Sequence, residues 1–591
     1  MRRKTINRAM WGAVSAATIL GAGCTSPFDA IDHRVNLLLA EGSTNVGGGT
    51  PRTQADGWPS TTPDMGADLN MERPGTFNPT AGEMTWNAMI STEADAIIRR
   101  LNGYTANASD ATDEGMTLDN SLAWAVDHAF EYQFAEEEFV LSCLNLLVER
   151  HLWTPRVAND IRSQYNRFES DTAFVKSSSS IVNDLNVTQR LPWGGQVAAN
   201  YLATFSNLVH GAGSTNTGSQ DNAIGQFTLS TSIPFLRGAG AIAREDIIQA
   251  ERNLIYAART FEDFRRSFFV DVVRTYLSLQ VQQQELENAM ESVALLDRLA
   301  DRQRALYDAG RARLYDAAEA ENNALQQRSE LAGLQESFRL AVDRFKILIN
   351  FPVELPAEIE RASFAIAPPQ TALDAAVRTA LVQRLDLQTR RDQLVDQRRA
   401  VRNALNGMLP DLNLAGSIRL GSSDEYYDQF ILTSLEDMET EISLTLGLPL
   451  DRTQERLAVR SAQISLERAR RSLTQERDQV AVNVRNAVRT IDSSLLSYDI
   501  QRRNVQIAKI NIESIAADPD SYTVLDQLSS IQSLQRARNG RARAFRTVQQ
   551  SILQYLLDTG QLRVTPNGGL QPLPGMVIDQ TASLSFEPDA A

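Results

Sequence analysis

The sequence predicts a mainly α fold with a membrane β-barrel portion: long antiparallel helical hairpins, plus four transmembrane strands in each chain. Three observations predict it. Two helical patterns run for roughly 64–69 residues with almost no breaker. Alternating segments of about ten residues, the length of a tilted membrane strand, precede each of them. The same order of elements then occurs twice along the 591 residues.

The chain opens with a basic start (Arg2, Arg3, Lys4, Arg8) and an apolar or small run from Met10 to Ala22, which reads as an export signal over residues 1–23. Gly21-Ala22-Gly23-Cys24 is similar to a lipoprotein cleavage box and makes Cys24 a lipidation candidate, although Leu20 sits one place earlier than the usual Leu. The alternative is ordinary cleavage near Ala22. Residues 24–112 read as a lipid-anchored flexible linker, rich in Gly, Pro, Thr and Asp between about Ala40 and Asn78. The other cysteine, Cys143, lies in an apolar helical pattern with Leu144, Leu147 and Val148, the setting of a small buried hydrophobe.

A first repeat spans 113–350. It predicts a helix from Leu118 to about Ile161, strands between Gln196 and Pro234, a helix from about Ala241 to Ala309, a turn at Gly310 and a returning helix to about Asn350. Residues 351–372, with Pro352, Pro356, Pro368 and Pro369, form an inter-repeat loop. The second repeat, 373–562, follows with a helix over about Leu373–Leu405, strands between Pro410 and Pro449, a helix from Thr453 to about Ala516, a turn at Asp518-Pro519-Asp520 and a helix to about Leu557. Residues 563–591 read as a flexible tail.

The strands alternate. Phe227, Leu229, Thr231, Ile233 and Phe235 face away from Thr228, Ser230 and Ser232; Ile442, Leu444, Leu446, Leu448 and Leu450 face away from Ser443, Thr445 and Gly447. Leu412, Leu414, Ile418 and Leu420 form a third apolar face, and Val197, Ala199, Tyr201, Ala203 and Phe205 a weaker one. A soluble amphipathic sheet would alternate in the same way. Four strands cannot close a membrane barrel, whose smallest single-chain form has about eight. Open edges in lipid leave unpaired backbone groups, so several chains must share one barrel if these strands enter the membrane. A helix of about 69 residues reaches roughly 100 Å. Its apolar positions (Leu286, Met290, Val293, Leu296, Leu299, Leu306) recur three or four apart, as in a coiled-coil seam.

At this point the chain resembles the TolC-like outer membrane factor family, including its lipid-anchored members, over about residues 113–560. The family's first hairpin turn places Gly three residues after a Tyr and Asp six further on. Here Tyr307, Gly310 and Asp316 keep that spacing, with Arg313 in place of the family's Ser and Leu306 in place of its Arg. Val524-Leu525-Asp526 matches the end of the second motif, while Thr523, Ala517 and Ser514 replace the family's Asp, Gly and Tyr. The run from Ser230 to Gly240 is close to the strand-exit signature, and Leu446-Gly447-Leu448-Pro449-Leu450 is its counterpart. The resemblance implies a homotrimer with a twelve-stranded barrel in the outer membrane and a helical tunnel in the periplasm. It implies a passive exit duct of a tripartite efflux or secretion system, docked to a periplasmic adaptor protein and through it to an inner-membrane transporter. It also implies a tip closed by acidic rings. Asp526 matches one such position; Asp518 and Asp520 lie beside it, although ordinary turn chemistry accounts equally for those two. Tyr307, Gly310, Arg313, Asp316, Val524 and Leu525 are the candidates for adaptor contact. A turn that needs positive φ is the plainer account of Gly310.

Composition sets the remaining limits. A formal net charge of −15 argues against a nucleic-acid partner. The four histidines are scattered without metal-ligand spacing, and no phosphate-binding loop or catalytic constellation stands out, so neither enzyme nor cofactor is expected. The competing reading is a periplasmic coiled-coil lipoprotein with a structural or adaptor role, and beyond it a soluble helical scaffold.

Overall fold

A computed structural model describes residues 34, 35, 37, 38, 116–169, 175–210, 220–361, 365–369, 372–421, 438–518, 521–565, 568–572 and 578–579. The chain divides into two compact units. One comprises Met1–Phe139, Ala258–Gln388 and Arg477–Ala591; the other comprises Val140–Ala257 and Thr389–Glu476. The helices are α1 (Leu118–His128), α2 (Phe130–His151), α3 (Glu245–Asp308), α4 (Leu314–Ile349), α5 (Leu373–Gln383), α6 (Leu385–Gly407), α7 (Thr453–Ala517) and α8 (Val524–Asp558). The strands of the main sheet are β1 (Arg156–Glu169), β2 (Val175–Arg190), β3 (Gln196–His210), β4 (Gln220–Pro234), β5 (Asp411–Gly421) and β6 (Met438–Gly447).

The long hairpin helices of both repeats form as their patterns predict, whereas the opening helix of each repeat is broken in two by an extended residue, Ala129 and Arg384. Pro234 and Pro449 stand where strand gives way to helix. Among the described residues no helix is long and apolar enough to cross a membrane.

The expectation of four strands is corrected. The sheet has six, all antiparallel, in the order β1-β2-β3-β4-β5-β6. The predicted helix to Ile161 ends instead at His151, and β1 begins at Arg156. Pro155 lies between them, a residue that lacks the N–H a continuing helix needs. The β1–β2 hairpin escaped the periodicity because Asn159 and Asn183 interrupt its apolar face and Ser177 to Ser180 form an unbroken polar run.

The first unit is held by an aromatic and aliphatic core. Tyr276 and Phe345 are fully buried with their rings edge to face at 5.9 Å. The Tyr276 hydroxyl donates towards the carbonyls of Met116 (2.8 Å) and Glu360 (2.6 Å), and burial raises its pKa well above the usual phenol. Glu262 sits between Arg265 (2.7 Å) and Arg266 (2.9 Å), all three almost wholly buried. Both guanidinium groups also donate to backbone carbonyls, Arg265 to Val564 and Arg266 to Gly560. Helices α3 and α8 run antiparallel. Asn288 meets Asn539 at 2.7 Å, and Glu285 and Glu291 pair with Arg543 and Arg538.

Candidate functional site

In the second unit the sheet register aligns one apolar face across all six strands. Val157 of β1 pairs with Val187, Val187 with Ala199, Ala199 with Leu229, and Leu229 with Ile418. A neighbouring row carries Leu185, Tyr201, Phe227, Leu420 and Met438. Thr231 pairs with Gly416 and Gly416 with Ile442, while Ile233 leads through Leu414 to Leu444. Side chains alternate between faces, so a register that matches these rows puts them on one side of the sheet. The residues between them (Arg156, Asp184, Asn186, Asn200, Thr228, Ser230, Ser417, Arg419, Glu439, Glu441) share the opposite side. On it Asp184 accepts a hydrogen bond from Asn200, and Arg419 pairs with Glu439 at 2.9 Å.

This apolar face lies open. Ile161 is 71% exposed, Ile442 77% and Leu444 65%, and Val157, Tyr165, Ile181, Leu229, Ile418 and Leu446 join them. A contiguous patch of that kind marks contact with lipid or with another protein rather than with water. Trp193 and Phe235 are exposed beside the ends of β3 and β4.

The ends of the strands are fixed by features of low sequence visibility. The β2–β3 turn closes with Leu191 N–H donating to the Gly195 carbonyl (3.1 Å), and Gly194 and Gly195 have φ of +104° and +85°. A Cβ on Gly195 would overlap the Ser232 carbonyl. Beyond β4, Asn406 of α6 clamps the strand-exit loop, accepting from Gly238 N–H (2.8 Å) and donating to the Leu236 carbonyl (3.2 Å). Sequence reasoning missed Asn406, because a contact 168 positions away leaves no local signal.

The two hairpin turns lie in the first unit. Gly310 has φ of +72°, its N–H donates to the Tyr307 carbonyl (2.8 Å), and open space surrounds it. Tyr307 is exposed, Arg313 is the N-cap of α4 without a side-chain hydrogen bond, and Asp316 stands in the first turn of that helix. In the second hairpin Leu525 is exposed. Val524 instead packs against Leu296, Leu299, Ala324 and Leu528, which joins α8 to α3 and α4.

Thr523 and Asp526 form a reciprocal capping box. The Thr523 hydroxyl accepts from Asp526 N–H (3.2 Å), and the Asp526 carboxylate accepts from Thr523 N–H (3.0 Å) and its hydroxyl (2.6 Å). Those bonds, the hydroxyl's first, hold the Asp526 carboxyl below the usual range. Thr523, which sequence comparison treated as a missing acid, is therefore a helix cap, and the Thr-x-x-Asp spacing was the signal for it. Asp518 accepts a hydrogen bond from the Ser521 hydroxyl at 2.5 Å. Asp520 and Cys24 lie outside the described residues. Cys143 is a free, buried thiol whose pKa burial pushes up to about 12.

Solved structures share this architecture. The outer-membrane channel OprN matches with a TM-score of 0.56 at 13% identity, covering 75% of this chain and 90% of that one. The Campylobacter jejuni CmeC outer membrane channel matches with 0.55 at 15% identity, covering 77% and 87%. The Vibrio cholerae outer membrane protein VceC matches with 0.56 at 14% identity, covering 75% and 96%. The chain has the TolC-like fold. No family profile and no curated protein matches the sequence. The TolC-like likeness is thus one of fold, carried by the order and length of elements rather than by residue identity.

Proposed function

We propose that this protein is an outer-membrane channel, the passive exit duct of a tripartite efflux or secretion system. The apolar face that runs in register across six exposed strands carries this reading, because its counterpart in a soluble protein would be covered. A periplasmic coiled-coil lipoprotein has no use for such a face. The fold it shares with outer-membrane channels supports the same conclusion.

An open six-stranded sheet does not close in lipid, so the channel is a homotrimer that shares one barrel. Helix α7 supports association as well. Val482, Leu496, Ile500 and Ile507 are exposed and recur at steps of 14, 4 and 7, which keeps them on one side of the helix. The helices form a periplasmic tunnel whose hairpin tips (Tyr307, Gly310, Arg313, Asp316 and Leu525) meet an adaptor protein linked to an inner-membrane transporter. Asp518, Asp520 and Asp526 ring the tip in three copies and favour cations there. An acylated Cys24 anchors the N-terminus in the outer membrane. The work comes from the pump, and the duct performs no catalysis.

Conductance of the purified chain in planar bilayers tests the reading, with wild type compared with Asp518→Ala and Thr523→Ala. Discrete cation-preferring steps support it, and loss of cation preference in Asp518→Ala supports the acidic tip. Thr523→Ala separates a gate from a cap, since it removes the hydroxyl that donates to the Asp526 carboxylate and the cap on the Asp526 N–H while keeping the charge of Asp526. A protein that never enters the bilayer belongs to the lipoprotein reading.

A further inference from the structure

We infer that the seam between copies lies between β1 of one protomer and β6 of the next, so that three copies close an eighteen-stranded barrel. This rests on the trimeric channel reading above and adds to it where the copies join and how wide the barrel is.

The strand order leaves two free edges, β1 and β6. In a chain with only the four strands β3 to β6, a neighbour would pair with β3. Here that edge is occupied: β2 pairs with β3 from Lys176 opposite His210 to Arg190 opposite Gln196, the full length of the strand. The β2–β3 turn is short, and the close packing of Gly195 on Ser232 locks it against β4. Displacing the β1–β2 hairpin to free β3 would strip a whole ladder of hydrogen bonds inside a medium that offers no replacement.

The hairpin also belongs to the same membrane surface. Its apolar residues (Val157, Ile161, Val187, Leu185, Ile181) continue the rows of β3 without a change of face. Six strands in alternating directions leave β1 and β6 antiparallel, so the pattern passes from one copy to the next unbroken. The two edges differ in charge on the polar face. β1 carries Arg156 and Arg162 there, with Asp160 between them, and β6 carries Glu439 and Glu441. Arg156 and Glu441 fall in one register row, through Thr188, Ala198, Ser230 and Ser417. The Arg156 Nε is buried without a hydrogen-bond partner in the single chain. A neighbouring β6 brings carboxylates to that edge, and opposite charges across paired strands are favourable.

The consequence is size. Barrel diameter grows roughly linearly with strand number, so eighteen strands give about 1.5 times the diameter and about 2.25 times the cross-section of twelve. That falls among barrels wide enough to hold an aqueous channel, so the barrel does not limit the cargo.

The test uses the full chain in membranes with Cys143→Ala, one cysteine on β1 (Val157→Cys or Ile161→Cys) and one on β6. Because the seam must keep the apolar face continuous, oxidation links these β1 positions to Ile442→Cys, Leu444→Cys or Leu446→Cys of another protomer. It does not link them to Ser443→Cys or Thr445→Cys. Ala203→Cys on β3 gives no link to any β6 position. A strand count from averaged images of the wild-type trimer reads eighteen. Links from β3 to β6, an inserted trimer with no β1–β6 link, or a count of twelve from two or three copies overturns the inference and leaves the channel standing. Failure to insert or to conduct overturns the channel reading itself.

Discussion

An arginine placed on the apolar face separates a lipid-facing sheet from a soluble one. Leu229 lies five residues before Pro234, the end of β4. At about 3.3 Å per residue and a tilt of about 45°, it stands roughly 12 Å from that end. The apolar band of an outer-membrane barrel is about 25 Å tall, which in the proposed channel puts Leu229 near its middle. Arginine facing lipid at that depth costs about 2–4 kcal/mol per copy, and the cost falls to about 0–1 kcal/mol near the interfaces. Leu229→Arg is therefore expected to cost about 2–4 kcal/mol per chain in urea-driven refolding into lipid vesicles. Ser230→Arg, one residue on and on the polar face, is expected to change the midpoint little. Equal penalties for the two, or a free Leu229→Arg, would refute the assignment of the faces.

Three further outcomes follow from the described contacts. Glu262→Gln leaves two buried guanidinium groups without their carboxylate and should lower unfolding stability by about 3–5 kcal/mol, read from denaturant midpoints. Gly195→Ala forces a Cβ into the Ser232 carbonyl and should lower the yield of correctly inserted protein, whereas Gly310→Ala, which meets only backbone strain and open space, should insert normally. Asp386 predicts a pH dependence. Burial opposes its ionisation, but the bidentate Arg384 pair (2.6 and 3.1 Å) prevails and holds its pKa below the usual value. A depressed carboxylate contributes stability above its unfolded pKa, about 3.9, and loses it as pH falls through the folded value. Wild type should thus melt above Asp386→Asn at pH 7, with the gap closing below about pH 4; a gap that widens in acid would reverse the assignment.

Most of the architecture was legible because it is written in breakers and periods. The helix α3 was placed within a few residues by an unbroken run that ends at Gly310, and β4 and β6 by strict alternation before proline. The β1–β2 hairpin was not, since Asn159 and Asn183 sit among its apolar positions; Pro155 was the one local sign that α2 stops early. The sites divide in the same way. Gly310 and the capping box of Thr523 and Asp526 are local and readable. The packing of Val524 and the clamp by Asn406 depend on partners far along the chain, which one sequence without its fold does not reveal.

Nitroxide scanning of β6 and β1 in reconstituted vesicles tests most directly whether the sheet spans the outer membrane. Labels at Ile442, Leu444 and Leu446, and at Val157 and Ile161 of β1, should be accessible to oxygen dissolved in lipid and shielded from a water-soluble nickel complex. Labels at Ser443, Thr445 and Arg162 should show the reverse. High nickel accessibility at every position, with no two-residue alternation, would place the sheet in water and contradict the channel.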